Sequence, residues 1–303
     1  HSSAHEALES ALARFVRQPR ALVFSTGYMA NIGILTALAG RDDAVFADRL
    51  NHASLNDAVL LSRAQFRRYP HADVDALERL LAQSRARRKL VVTDAVFSMD
   101  GDVAPLTSIL QVCERHDAWL IVDDAHGFGV LGPQGRGTLS HLGVASERIV
   151  YMATLGKAAG VYGAFVAAEP TVVEAILQRA RTYIYTTATP PLLAHATLAA
   201  LDIVAAEEWR RDHLKRLVGV LRAGLAVSPW RLLASDTAIQ PVIVGENRKA
   251  LSLAERLAER GLLVPAIRPP TVPAGTARLR ITMGATHDPD DVARLARALC
   301  ELA

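Results

Sequence analysis

Short runs of uniformly apolar residues alternate along this chain with stretches whose apolar positions recur every three or four residues. Leu8, Leu12 and Phe15 give residues 4–16 a helical period. The segment 21–38 (ALVFSTGYMANIGILTAL) predicts a strand, a Thr26-Gly27 turn and a second helix. Residues 89–94 (KLVVTD), 118–123 (AWLIVD), 149–154 and 161–168 predict buried strands, with a helix over 105–116. Strands of this kind, spaced by helices, build a mainly parallel sheet covered on both faces, an α/β fold. The last third differs. It predicts a long amphipathic helix over about 190–227, a strand at 238–245, a helix at 247–260, a strand at 277–282 and a final helix. That last helix opens on Asp288-Pro289, an N-cap followed by proline at the first helical position. The division this implies is a large domain over 1–207 and a smaller α+β domain over 208–303, in line with 303 residues at ~150 per domain.

Composition narrows the classes. Half the residues are hydrophobic and 21% are charged, which supports a packed core and excludes wholesale disorder. Net charge is +3, close to balance, so no nucleic-acid partner is expected. The basic run Arg85, Arg87, Arg88 and Lys89 reads as the solvated end of a helix. Two cysteines, Cys113 and Cys300, exclude a disulfide framework and fit a reducing, cytoplasmic setting. No apolar run reaches the ~18 residues of a membrane helix, and the ten histidines form no metal-ligand pattern, so no metal is expected.

Two glycine motifs invite a nucleotide reading and fail on physical grounds. GFGVLG (127–132) matches the dinucleotide fingerprint by letter, but that fingerprint needs a helix to start at once, and Pro133, Gly135 and Gly137 oppose one. TLGKAAG (154–160) resembles a phosphate loop, yet Tyr151 stands where its first glycine belongs. Ala158 stands where the magnesium-binding hydroxyl belongs. No Gly-x-Ser-x-Gly elbow is present.

Another constellation remains. Lys157 sits just after a predicted strand among Gly and Ala, which leave room beside its amine; alone it would read as an ordinary surface lysine. Asp123 and His126 (VDDAHG) lie at a strand's carboxyl end, where open parallel sheets bind ligands. One of Asp123 and Asp124 is expected to be structural. The Gly27 turn opens a helix N-terminus, a ready phosphate site. Thr154 adds a hydroxyl, and His52 (NHASL) offers an aromatic face unless it merely begins a helix. Lysine, strand-end acid and phosphate-binding helix start together fit a pyridoxal-phosphate enzyme.

Several longer stretches carry a family resemblance: STGYMAN (25–31), ADRLNHASLNDA (47–58), TDAVFSMDGDVAPL (93–106) and LIVDDAHGFGVLGPQGRG (120–137). So do TLGKAAG (154–160), YIYTTATPP (183–191) and AIRPPTVPAGTARLRIT (266–282). In this order they resemble the α-oxoamine synthases, within the fold type I pyridoxal-phosphate enzymes, over essentially the whole chain. The resemblance implies a seven-stranded-type sheet in the large domain, pyridoxal 5'-phosphate as cofactor and a homodimer. It implies that Lys157 bonds the cofactor and moves the Cα proton, that Asp123 keeps the pyridine nitrogen protonated and that His126 contacts the phenolic oxygen. His52 would stack on the ring and donate a proton during decarboxylation. Gly27, Tyr28, Ser98 and Thr154 would line cofactor and phosphate, and Thr186 and Thr187 would reach the neighbouring subunit's phosphate. Thr271 would face the substrate, and Arg280 would bind its carboxylate. The IRPPTVPAGT segment is similar to members that join L-alanine to a pimeloyl thioester, on coenzyme A or a carrier protein, in biotin biosynthesis. Glycine-using members with other acyl-CoA donors are the alternative. Two departures stand out: Tyr162 replaces an expected small residue, and the family's upstream segment, with an arginine at the substrate entrance, has no counterpart here. Impaired acyl-substrate binding is the corresponding expectation.

Overall fold

The computed structural model describes residues 1–303. The chain divides into two compact units, residues 1–97 with 103–206 and residues 98–102 with 207–303. The short strap 98–102 therefore belongs with the C-terminal unit, although it lies in the middle of the sequence of the larger one.

In chain order the larger unit contains α1 (Ser3–Phe15), β1 (Arg20–Phe24), α2 (Gly27–Leu38), β2 (Ala44–Asp48), α3 (Ala53–Ser62), β3 (Gln65–Tyr69) and α4 (Val74–Ala82). It continues with β4 (Lys89–Asp94), α5 (Leu106–Arg115), β5 (Ala118–Asp123), α6 (Thr138–Leu142), β6 (Ile149–Thr154) and β7 (Ala164–Ala168). Helices α7 (Pro170–Arg179), α8 (Arg181–Ile184) and α9 (Pro191–Ala206) complete it. Seven strands form one sheet in the order β1-β7-β6-β5-β4-β2-β3. The pairs from β3 to β6 are parallel, and β7 runs antiparallel to both β6 and β1.

Alternation along each strand assigns side chains to two apolar layers. Phe46, Val91, Leu120 and Val122 join one layer with α1, α4, α5 and α9. Val45, Ala47, Val92 and Ile121 join the other with α2, α3 and α7. Strands buried on both faces explain why their sequences are apolar at every position.

The smaller unit holds α10 (Glu208–Gly224), β8 (Arg231–Leu232), β9 (Ile239–Gly245), α11 (Asn247–Ala258), β10 (Ala266–Ile267), β11 (Ala277–Thr282) and α12 (Pro289–Glu301). Its four strands form an antiparallel sheet, β10-β11-β9-β8. Leu217, Leu221, Val242, Leu253, Leu279 and Leu299 centre its core. The strap is held by this unit. Arg278, only 4% exposed, bonds Asp100 at 2.7 Å and the carbonyl of Met99 at 3.1 Å, and the Thr237 hydroxyl donates to the carbonyl of Gly101 at 3.0 Å. Gly101 has φ +73°, and a Cβ there would lie 2.4 Å from the carbonyl oxygen of Ile239, so this position requires glycine.

Three points of the sequence reading are corrected. The long helix over 190–227 is two helices, α9 and α10, separated at Glu207, whose φ −96° and ψ 66° are not helical. Their periodicity runs on, but Ala194 and Leu201 serve the larger core and Leu217 and Leu221 the smaller. Strands β2 and β3 escaped the pattern, since β2 has only five residues and β3 (QFRRY) is an edge strand with mostly exposed polar positions. The basic run lies beyond α4, and Arg88 bonds the buried Asp43 at 2.9 Å while Lys89 donates to the carbonyl of His116 at 2.7 Å.

Candidate active site

The carboxyl ends of β4, β5 and β6 lie side by side, with Asp94 opposite Asp123 and Asp123 opposite Met152 in register. Asp94 and Asp123 thus present two carboxyl groups from adjoining strand ends, both buried. Asp123 Oδ2 accepts from Asn31 Nδ2 at 2.8 Å and Oδ1 from the Ala125 N–H at 3.0 Å. Burial raises the Asp123 pKa, and these two donors, with the Lys157 ammonium, offset part of the rise. Asp94 is raised well above the usual carboxylate range, by burial first and by the charge of Asp123 second; the His52 N–H at 2.8 Å and Lys157 oppose this. Lys157 therefore lies within electrostatic reach of both acids.

Asp124 points elsewhere, as strand alternation requires. Its carboxylate accepts from the Thr138 N–H at 2.7 Å, the Thr138 hydroxyl and the Tyr151 hydroxyl at 2.8 Å. Burial still pushes its pKa to about 6. This is the structural aspartate of the pair.

Around Asp123 the larger unit gathers most of the residues singled out in the sequence. Lys157 Nζ is 3.4 Å from Thr154 Oγ1 at the end of β6. Thr26 caps α2, its side chain accepting from the Met29 N–H, so Gly27 is the first helical residue. A Cβ on Gly27 would lie 2.7 Å from the methyl carbon of Thr154, so the start of α2 is packed against the strand end that carries the lysine. Tyr28 is exposed and donates its hydroxyl to Asp57 at 2.9 Å, which raises its pKa. His52 caps α3, with its Nδ1 2.7 Å from the Ser54 hydroxyl; it begins a helix and is also exposed beside the acids. His126 follows Asp123 by three residues and is half-buried.

Thr186 and Thr187 are exposed and line a separate cavity of about 160 Å³ with His5, Ser25 and Thr189. Ser98, Thr271 and Arg280 belong to the smaller unit. There Arg280 Nε donates to the carbonyl of Ser98 at 2.5 Å, and burial lowers the arginine's pKa. Thr271 is exposed in the turn after Arg268.

Asn31, Ser54 and Asp94 were not singled out in the sequence. Each lies inside a quoted motif, but only the fold shows that Asn31 reaches residues 23 and 92 positions away.

This donor set suits pyridoxal phosphate. It combines an amine, a buried carboxyl group at a strand end and a twelve-residue helix whose first position a Cβ would crowd.

A profile of the family "Aminotransferase class I and II" matches residues 1–299. The chain is 62% identical, over 302 residues, to the 8-amino-7-oxononanoate synthase of Nitrosospira multiformis, spanning 100% of this chain and 76% of that protein. Among solved structures it resembles serine palmitoyltransferase from S. paucimobilis with a bound PLP–myriocin adduct (TM-score 0.95, 32% identity, 100% of this chain and 77% of that one). It also resembles 8-amino-7-oxononanoate synthase from Francisella tularensis (TM-score 0.88, 30% identity, 99% and 87%). A family match along nearly the whole sequence, joined to this fold and these strand ends, shows that the chain belongs to the class I and II aminotransferase family.

Proposed function

We propose that this chain is a pyridoxal-phosphate-dependent acyltransferase. It joins L-alanine to a pimeloyl thioester, on coenzyme A or a carrier protein, giving 8-amino-7-oxononanoate, carbon dioxide and the free thiol. The observation that carries the chemistry is Lys157, 3.4 Å from Thr154 at the end of β6, beside the paired strand ends where Asp94 and Asp123 are buried. The substrate reading draws on the 62% identity to an enzyme of that name. The serine palmitoyltransferase likeness is higher in TM-score but stands at 32% identity; it favours a second reading, the same chemistry with another amino acid.

When bound, pyridoxal phosphate supplies an electron sink for the pair left on the amino acid's Cα. Lys157 would hold the cofactor, and its amine would move the Cα proton. Asp123, held by Asn31 and the Ala125 N–H, would keep a proton on the ring nitrogen. On family resemblance, His126 would contact the phenolic oxygen, and His52 would cover the ring face and donate a proton as carbon dioxide leaves. The α2 N-terminus at Gly27 and Tyr28, with Thr154, would line the cofactor; Ser98 is assigned to it on family resemblance. Thr271 and Arg280 are assigned to the substrate on family resemblance. On the same ground Thr186 and Thr187 are assigned to the phosphate of a partner protomer, which makes the working unit a homodimer.

No helix is long and apolar enough to cross a membrane. The test is purified protein with pyridoxal phosphate, pimeloyl-CoA and L-alanine, glycine or L-serine in turn, with products read by mass spectrometry. Alanine-dependent 8-amino-7-oxononanoate with stoichiometric thiol is expected. Turnover with glycine or serine but not alanine would overturn the substrate reading.

A further inference from the structure

One chain of side chains links the strand-end acid to the exposed histidine. Asn31 is fully buried and Ser54 is 1% exposed. The single Asn31 Nδ2 donates to Asp123 Oδ2 at 2.8 Å and to Ser54 Oγ at 2.9 Å. Ser54 Oγ is in turn 2.7 Å from His52 Nδ1. The Ser54 backbone N–H points to that same ring nitrogen at 3.3 Å.

The directions of these bonds follow from the acid. An ionised carboxylate only accepts, so the Asn31 amide must turn its NH2 toward Asp123. The same NH2 then fills an acceptor position on Ser54 Oγ, and the serine proton is directed to His52 Nδ1. The backbone N–H of Ser54 is a donor in any state. Two donors thus converge on Nδ1, which can hold a lone pair and not a proton. The ring proton of neutral His52 is left on Nε2, the nitrogen remote from the helix. In the opposite tautomer, a proton on Nδ1 would face the Ser54 N–H. The serine hydroxyl hydrogen, in a buried site, would also lose this acceptor.

We infer that Asn31 and Ser54 are positioning residues that fix His52 as the Nε2–H tautomer. They thereby present a hydrogen-bond donor from the ring edge that faces away from α3. For the reaction this rests on the function proposed above, in which His52 gives a proton to substrate; the tautomer itself rests only on these four residues. The relay also makes Asp123 and His52 dependent on each other. A cation over Asp123, such as a protonated pyridine nitrogen, keeps the carboxylate ionised and so keeps every bond in the relay pointing the same way.

The test is long-range ¹H–¹⁵N correlation on protein labelled with ¹⁵N-histidine, with cofactor bound and with cofactor removed. His52 is assigned by its loss in His52→Gln. Protonated Nε2 and bare Nδ1 are expected in the wild type, and a proton on Nδ1 would overturn the inference whatever the enzyme's substrate proves to be. Ser54→Ala removes the hydroxyl donor. It should give a mixed tautomer signal and lower kcat by about five- to tenfold, the worth of one hydrogen bond, with KM for the amino acid little changed. Ser54→Thr keeps the hydroxyl and should restore both. An unaltered His52 signal in a folded Ser54→Ala protein would remove Ser54 from the relay. Should Ser54→Ala fail to fold, the wild-type spectrum alone decides. A correct tautomer in a protein that makes no oxononanoate would refute the proposed function and leave the relay standing.

Discussion

Asp123 and Asp124 are neighbours in sequence and face opposite sides of the sheet, so one environment holds the proposed cofactor acid and the other a structural knot. For Asp124 the linkage is explicit. Burial raises its folded pKa to about 6, against an ordinary value of 3.8. The stabilisation from its bound proton is fully present below about pH 3.8 and is lost as pH rises through about 6. The difference amounts to about 3 kcal/mol, and the raised pKa values of Asp94 and Asp123 act in the same sense. Denaturant melts of the cofactor-free protein should therefore show lower stability at about pH 7.5 than at about pH 5. The gap should narrow in Asp124→Asn, and an unchanged gap in that variant would contradict the assignment. At Lys157 the expected result is different in kind. Lys157→Ala should fold normally and lose turnover, and borohydride treatment should no longer fix pyridoxyl label to the chain; label on another lysine would move the anchor. At this scale the sequence was informative where chemistry is local. Lys157, Asp123, His126 and His52 stand in recognisable motifs. Asn31, Ser54 and Asp94 do not announce themselves, because their roles come from contacts between residues up to 92 positions apart.

Among the elements, α2 couples core and site most directly. Its inner face buries Ile34 and Leu35 completely, while its first residue, Gly27, sits against Thr154. The two ends should respond to mutation in opposite ways. Ile34→Ala leaves a cavity and should cost about 2–5 kcal/mol of stability, read by chemical denaturation. Gly27→Ala replaces a poor helix former with a good one, worth up to about 1 kcal/mol in helix propensity, but its Cβ would displace the Thr154 methyl. Cofactor affinity should fall at least about tenfold, the equivalent of ~1.4 kcal/mol, with the melting temperature nearly unchanged. Equal affinity in a folded Gly27→Ala protein would argue against the α2 terminus as the phosphate site. The buried strands β4, β5 and β6 were legible to the residue, because a strand covered on both faces writes its whole length in apolar letters. Edge strand β3 was not, having little core to face. The α9–α10 break was also hidden, because two helices serving different cores can share one continuous period.

For the whole molecule, the proposed homodimer makes a concentration-dependent prediction. If Thr186 and Thr187 hold a partner's phosphate, Thr187→Val should lose about 1.5–3 kcal/mol of cofactor binding, and cofactor retention should fall on dilution as light scattering reports monomer. A monomer with full cofactor and full turnover would exclude shared sites. The strap 98–102 carries a consequence of its own. The smaller unit is encoded in two separated pieces of the gene, because Asp100 neutralises the buried Arg278 and the Gly101 carbonyl accepts from Thr237. A fragment spanning 207–303 would leave that guanidinium uncompensated, a loss on the order of 3–5 kcal/mol, and should show no cooperative melt by circular dichroism. Chimeras between relatives face the same constraint: exchanging the C-terminal unit as a single cassette separates Arg278 from its own carboxylate, whereas transplanting Ser98–Asp102 along with it keeps donor and acceptor matched.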